Sequence, residues 1–517
     1  MIARALLTLL ALTTGTAAWT QPLPRTAEGQ PNLQGIWQVH NRAAYGLLHH
    51  SARHQMPAGP SVVEGDEIPY QPWALEQQRK NFAERATSDP LEQCYLPGVP
   101  RIMYMEFPFQ IFQTPEHLAI TFEWSQVYRL IYTSGQPTLH EGIESWMGNS
   151  RGRWEGDVLV VEVTDSNDRT WFDAAGNFHS NALKVTERYR LVDANTIDYQ
   201  VTIEDPKVFT RPWTIRMPLH RQTDLTRLHE YQCQAEKEEA SGAFEPDPQT
   251  WYPAALPASN APFDARASAN LPAPAVTGEI RRLPGGEPDL SGWYELDAGG
   301  GNYGLEGRPQ NFLTPASRGL VVDPTDGSLP YQTWARAERI AREQPHRGYD
   351  DPTAHCFVAG IPRSHYVPQP VHILQPPGYV VVLFERMSWR HIALEPRPVL
   401  PAHVRLWQGD SAGRWRGDTL VVESSNFNGK AWLNEVGDIV SHMQTVVETF
   451  TPVDADTVIY RATVTDPIPY TRPWTIEVPM HRKPDELLEV ACHEDNADLE
   501  HLKHVRDEYR ATQKQEN

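Results

Sequence analysis

The stretch "FTRPWTIRMPLHR", Phe209 to Arg221, returns as "YTRPWTIEVPMHR", Tyr470 to Arg482, with nine of thirteen residues unchanged across a spacing of 261 (209 to 470). "GRWEGDVLVVE" at Gly152 returns at Gly413 with nine of eleven residues unchanged, and "CYLPGVPR" is echoed by "CFVAGIPR". A period this long describes a domain and not a solenoid unit, so the 517-residue chain reads as one fold written twice. Any architecture proposed for the first half must also serve the second.

Strand patterns dominate each copy. "TIDYQVTIEDP" alternates Ile197, Tyr199, Val201 and Ile203 against Thr196, Asp198, Gln200 and Thr202, the period of a half-buried strand. Similar runs are "GIWQV", "PFQIFQT", "HLAITFEW", "VYRLIYT", "DVLVVEV", "LKVTERYRLV", "WTIRMPL" and "LHEYQCQ". That makes about nine strands per copy, with one helix at "PWALEQQRKNFAERA". Short turns and one apolar face per strand favour closure into an antiparallel barrel. The expected fold is mainly β: two homologous antiparallel barrels in tandem, each with a short helix. The first is expected over 19–239 and the second over 283–498. A Pro/Ala-rich linker is expected over 240–282 and a polar tail over 499–517.

The first 18 residues carry Arg4, an apolar run from Ala5 to Leu12 and small residues up to Ala18, the pattern of a secretory signal. A periplasmic or secreted protein is therefore expected. The apolar run is too short to span a bilayer. Export gives the four cysteines an economical reading: one disulfide per copy, Cys94–Cys233 and Cys356–Cys492, each tying an early loop to the last strand. A formal net charge of −20 argues against nucleic acid or an anionic membrane as partner.

The opening strands "LQGIWQV" and "LSGWYEL" each hold a Gly and a Trp. The first resembles the G-x-W signature of lipocalin-like (calycin) barrels through Gly35 and Trp37. In the second, Trp293 follows Gly292 at once, a departure of one residue. The phrases "CYLPGVPR", "GRWEGDVLVVE" and "TRPWTI" resemble a large group of exported bacterial proteins without a known activity. That resemblance implies export and a β fold but no reaction. Tandem lipocalin-like proteins include enzymes that hydrate or cyclise isoprenoids and polyketides, a similarity of architecture only.

Candidate chemistry lies on inward faces. On "NFHSNALKVTERYRLV", period two places His179 and Glu187 on one face among apolar residues. An inward carboxylate must be paired, hydrogen-bonded or protonated. One reading is an ion pair with Arg101 or Arg129, whose counterparts are Arg363 and Arg390. The other is a proton-handling pair, His179 with Glu187, present only in the first copy because Val440 replaces His179. Asp205, before a Pro, is a turn former or a supporting group for His179. His49, His50 and His54 occupy a loop, with His50 a further candidate and His49 a candidate ligand contact; no metal-ligand motif accompanies them. Arg101 and Tyr104 are candidate substrate-binding residues.

The chain has no G-x-S-x-G elbow, Walker loop, dinucleotide fingerprint or haem-attachment motif, so neither cofactor nor metal is expected. The leading expectation is an exported enzyme that binds a small apolar or amphipathic molecule. It would act by cofactor-free acid–base chemistry, as a lyase, hydratase, isomerase or hydrolase. A non-catalytic carrier or sensor, and a cell-surface interaction module, are the alternatives.

Overall fold

The computed structural model describes residues 22–516, apart from 54–55, 137, 245–259, 268–270, 312–313, 493 and 495. The expected signal segment, His54 and part of the Pro/Ala-rich stretch (245–259 and 268–270) lie outside the described residues.

Alternation along the chain becomes alternation of burial. In Thr196–Glu204, Ile197, Tyr199, Val201 and Ile203 are fully enclosed while their neighbours are partly accessible. Nine such strands form the first barrel: β1 (Gly35–Val39), β2 (Phe109–Gln113), β3 (His117–Phe122), β4 (Tyr128–Tyr132), β5 (Asn149–Glu155), β6 (Val158–Thr164), β7 (Lys184–Asp193), β8 (Thr196–Glu204) and β9 (Trp213–Arg221). They pair in sequence order, and β1 closes on β9 with Trp37 opposite Arg221.

The second copy comprises β10 (Gly292–Leu296), β11 (Val321–Asp323), β12 (Val371–Leu374), β13 (Tyr379–Phe384), β14 (Ser388–Ala393), β15 (Asp410–Arg416), β16 (Thr419–Ser425), β17 (Thr445–Pro452), β18 (Thr457–Thr465) and β19 (Trp474–Lys483). Nine of these close through β10 and β19, and short β11 is added on the outside of β19. The pairings are antiparallel except for one parallel bridge per barrel, Tyr132 with Arg151 and Ala393 with Ala412. Helices α1 (Pro72–Ser88), α2 (Cys233–Ser241), α3 (Thr333–Arg342) and α4 (Ala497–Glu516) complete the described secondary structure, with a few short 3₁₀ turns.

The strand count is right, but its membership differs. "LHEYQCQ" is not a strand: it runs as a loop into α2, where Cys233 is the first helical residue. Each disulfide therefore ties its early loop to a segment beyond the last strand. The missing strand is β5, whose apolar pattern is broken by Gly152. A Cβ there would meet Ile131 Cγ2 at 2.9 Å, and one at Gly413 would meet Ile392 Cγ2 at 2.7 Å. Glycine lets the two strands of the parallel bridge approach each other at the point where sequence alternation disappears.

The plug at the start of each barrel is also reassigned. Trp37 is buried and donates from Nε1 to Leu33 O at 2.9 Å, with Arg221 over its ring. Its counterpart is Tyr294 and not Trp293: Tyr294 is buried and donates to Leu290 O at 3.0 Å, with Arg482 over its ring. Trp293 is only partly buried.

The barrels pack on each other through the outer faces of β2–β4 and β12–β14. Phe112, Ala119, Tyr128, Val381, Leu383 and Trp389 share one buried cluster. Burial on both faces explains why "VVVLF" in β13 reads as a continuous apolar run. The segments following each last strand cross to the opposite barrel. Glu230 accepts from the backbone N–H groups of Trp407 and Gln408 in the second barrel. Glu489, its repeat counterpart, accepts from those of Trp146 and Met147 in the first, at 2.7 and 2.9 Å. The exchange gives the seam an approximate twofold character. Among the described residues, no helix is long and apolar enough to cross a membrane.

Candidate functional site

Glu187 on β7 sits fully buried inside the first barrel, within a closed polar network. Arg129 on β4 grips both carboxylate oxygens, and the hydroxyls of Tyr189 and Tyr199 donate to Oε1 at 2.9 and 2.6 Å. Arg129 also donates from Nε to Ser150 Oγ at 2.9 Å. The inward carboxylate is thus an ion pair with Arg129. Arg101 instead makes a bidentate pair with Asp89, both contacts at 2.7 Å. The second barrel repeats both arrangements, with Arg390 on Glu448 and Arg363 on Asp351.

His179 is buried away from this network. Nδ1 lies 3.0 Å from Ser180 O and Nε2 lies 2.6 Å from Thr170 Oγ1. A carbonyl only accepts, so Nδ1 carries the proton and the Thr170 hydroxyl donates to Nε2. Burial lowers the imidazole's pKa, keeping it neutral. Both nitrogens are occupied, and neither partner is Glu187.

Asp205 accepts from Ser180 N at 2.6 Å, Ser180 Oγ at 3.0 Å and Lys207 N at 3.0 Å, pinning the turn that presents His179. Asp466 does the same for Ser441. Tyr104 donates to Phe172 O at 2.8 Å, as Tyr366 does to Leu433 O. His49 is exposed, and His50 folds onto its own loop through Leu48 O at 2.8 Å. The structure therefore groups Asp205 with His179 through Ser180, and leaves Glu187, Arg101, His49 and His50 in separate surroundings. Among the described residues, no three His, Cys, Asp or Glu side chains are grouped to hold a metal ion.

A mainly apolar cavity lies between the barrels. It measures about 80 Å3 and is walled by Leu96, Val127 and Trp146 from the first copy and by Phe357, Phe384 and Val490 from the second. Three disulfide cysteines, Cys94, Cys356 and Cys492, also line it. The bonds thus anchor both crossing segments at the cavity wall.

Two of the lining residues each have a buried amide atom without a partner among the described residues, Gln232 Nε2 and Gln369 Oε1. A buried amide atom left unmatched costs about 1–3 kcal/mol, so such atoms persist where something else satisfies them. Arg386, in the turn between β13 and β14, also faces the cavity; its Nη2 lies 3.0 Å from Thr353 O and 3.0 Å from Cys492 Sγ.

These residues were missed because they come from segments far apart in the chain, and no local motif joins them. One clue was available in the repeat: the turn that carries Arg386 corresponds to the turn of Ser125, which lines the same cavity and has no basic residue, so a cation appears in one copy only.

No protein-family model matches the chain, and no curated protein matches it. Among solved structures, the chain is similar to a protein of unknown function from the DUF3598 family of Nostoc punctiforme. The match has 9% identity over 73% of this chain and 88% of that one, with a TM-score of 0.15, and carries no argument about fold or function.

Proposed function

We propose that the protein is an exported, non-catalytic carrier or sensor that holds a small amphipathic molecule in the seam between its barrels. The observation that carries this reading is the mainly apolar cavity at the seam, whose wall also holds the polar side chains of Gln232, Gln369 and Arg386. A few convergent polar groups in an apolar cavity are the usual make-up of a small-molecule site. The volume admits on the order of five to eight water-sized atoms.

A lipocalin-like ancestry for each barrel is supported by the buried G-x-W and G-x-Y plugs, although nine strands close each barrel where lipocalins have eight. Here the Arg129–Glu187 and Arg390–Glu448 pairs occupy barrel interiors, which favours the seam as the place for a ligand. Export is supported by the two disulfides together with the leader pattern of residues 1–18.

The carrier is favoured over an acid–base enzyme because His179 has both nitrogens engaged and Glu187 has its oxygens held by Arg129, Tyr189 and Tyr199. The test is to incubate the purified mature protein with a small-molecule extract of its own host and follow masses over time. A compound that co-purifies unchanged, and is lost in Gln232→Leu/Gln369→Leu, supports the carrier. Turnover abolished by His179→Ala would restore the acid–base reading, and capture of a protein with no small molecule would favour an interaction module.

A further inference from the structure

We infer that the ligand of the seam cavity is a small carboxylate with an apolar body, its anionic group held by Arg386; this rests on the cavity being a binding site. Among the described residues, Arg386 makes no ion pair, although arginines elsewhere in this acidic chain are widely paired. Its nearest acidic neighbours are engaged elsewhere: Asp351 makes a bidentate pair with Arg363, and Glu435 accepts from Asn302. Glu494, also in the cavity wall, is taken by Arg169 and by Trp146 Nε1 at 2.7 Å. Burial, reinforced by Arg363 and opposed by Asp351 and Glu435, lowers the guanidinium's pKa.

The hydrogen bonds hold Arg386 by Nη2, which leaves Nε and Nη1 as donors for a second partner. A guanidinium offers a fork of donors matched to a carboxylate, and such charge-assisted contacts are the strong ones. The side-chain amides of Gln232 and Gln369 belong to the same wall and add neutral hydrogen-bonding groups to it. The repeat sets the orientation. The turn equivalent to that of Arg386 carries Ser125, whose hydroxyl already accepts from Cys233 N at 3.3 Å. The anionic end of the ligand therefore points to the second barrel, and its apolar end lies against Leu96, Val127 and Trp146.

The test compares hexanoate with 1-hexanol by calorimetry on the mature protein, in wild type, in Arg386→Gln, and in Ala491→Phe, which narrows the cavity. Arg386→Gln should weaken hexanoate roughly ten- to hundred-fold, the scale of a lost charge-assisted bond, and leave hexanol unchanged. Ala491→Phe should weaken both probes. Unchanged melting curves establish that each variant is folded, and Arg386→Lys, which retains the charge, should recover part of the hexanoate affinity. If hexanol binds wild type as tightly as hexanoate, or Arg386→Gln keeps full hexanoate affinity, the carboxylate assignment fails while the cavity reading stands. If neither probe binds wild type, or Ala491→Phe affects neither, the cavity reading fails and the assignment falls with it.

Discussion

The two barrel interiors solve one problem in two ways. In the first, Glu187 receives Arg129 and two tyrosine hydroxyls, from Tyr189 and Tyr199. In the second, Phe450 stands at the position of Tyr189, and Glu448 keeps Arg390 and Tyr460 while adding Ser424 Oγ at 3.2 Å. His365 occupies the place of Met103, 4.0 Å from Glu448 and stacked on Tyr460. The hydroxyl lost on one strand is thus replaced as a donor by Ser424, while His365 Nε2 lies 3.3 Å from Arg390 Nη1 and accepts from it. The charge pair is shared by both copies, whereas its outer partners have drifted. A buried carboxylate tolerates changes in which donors surround it far better than the loss of its cation.

The largest expected effect tests the shared part. Arg129→Met or Arg390→Met leaves an unpaired buried carboxylate and should cost about 3–5 kcal/mol, read by chemical denaturation. A loss near zero in one barrel alone would break the equivalence of the two cores. Next come the disulfides, whose closed loops span 139 and 136 residues. Removing either pair with alanines should cost about 2–5 kcal/mol, and nearly the same for each, because the chain-entropy contribution grows only with the logarithm of loop length. Unequal losses would mean that one crossing segment is held mainly by its contacts with the opposite barrel.

Smaller effects probe what differs. Tyr189→Phe should cost about 1.5–3 kcal/mol in the first barrel, as a lost hydrogen bond to a charged group. Phe450→Tyr in the second should bring no matching gain, since His365 already fills that side. His365 adds an acid-side response inside the second barrel, whereas Met103 stands at its place in the first. Burial and Arg390 push its pKa down to about 3 against the pull of Glu448. A base depressed on folding contributes stability that is present above its unfolded pKa of about 6.5 and lost as pH falls toward 3. His365→Met should flatten that acid-side loss; a second barrel with unaltered acid sensitivity would argue against it.

The smallest expected effect concerns the seam. Burial pushes Glu230 and Glu489 up to about 7 against the backbone N–H bonds that each accepts. Acids raised on folding add stability that is present below their unfolded pKa, near 4.5, and lost as pH rises through 7. Glu230→Gln/Glu489→Gln should therefore remove part of the alkaline-side slope in a pH series of melting temperatures. Asp173 and Asp466, each raised to about 6 by burial, contribute slope of the same sign and should keep it in the double variant.

Much of the fold was legible because period-two burial is a local property. β7, β8 and β9 were marked by their own side chains, and the inward position of Glu187 followed from its neighbours in sequence. Legibility failed where a residue's environment came from the other copy. "LHEYQCQ" reads as a strand, yet its Leu228 is buried in the cluster between the barrels. β5 was hidden by Gly152, which the close approach of β4 requires. The G-x-W signature pointed to Trp293 in the second barrel, but register placed Tyr294 opposite Arg482 and so in the core.

By itself the sequence determined that this protein is one β fold repeated, with one cysteine pair per copy, because repetition, alternation and spacing are carried along a single strand of text. Which arginine meets which carboxylate, the separation of His179 and Glu187 into different networks, and the apolar cavity between the barrels were settled in the tertiary structure alone. Those outcomes depend on how two closed sheets dock and exchange their trailing segments. Docking is settled by surfaces assembled from residues hundreds of positions apart, and no local pattern records it.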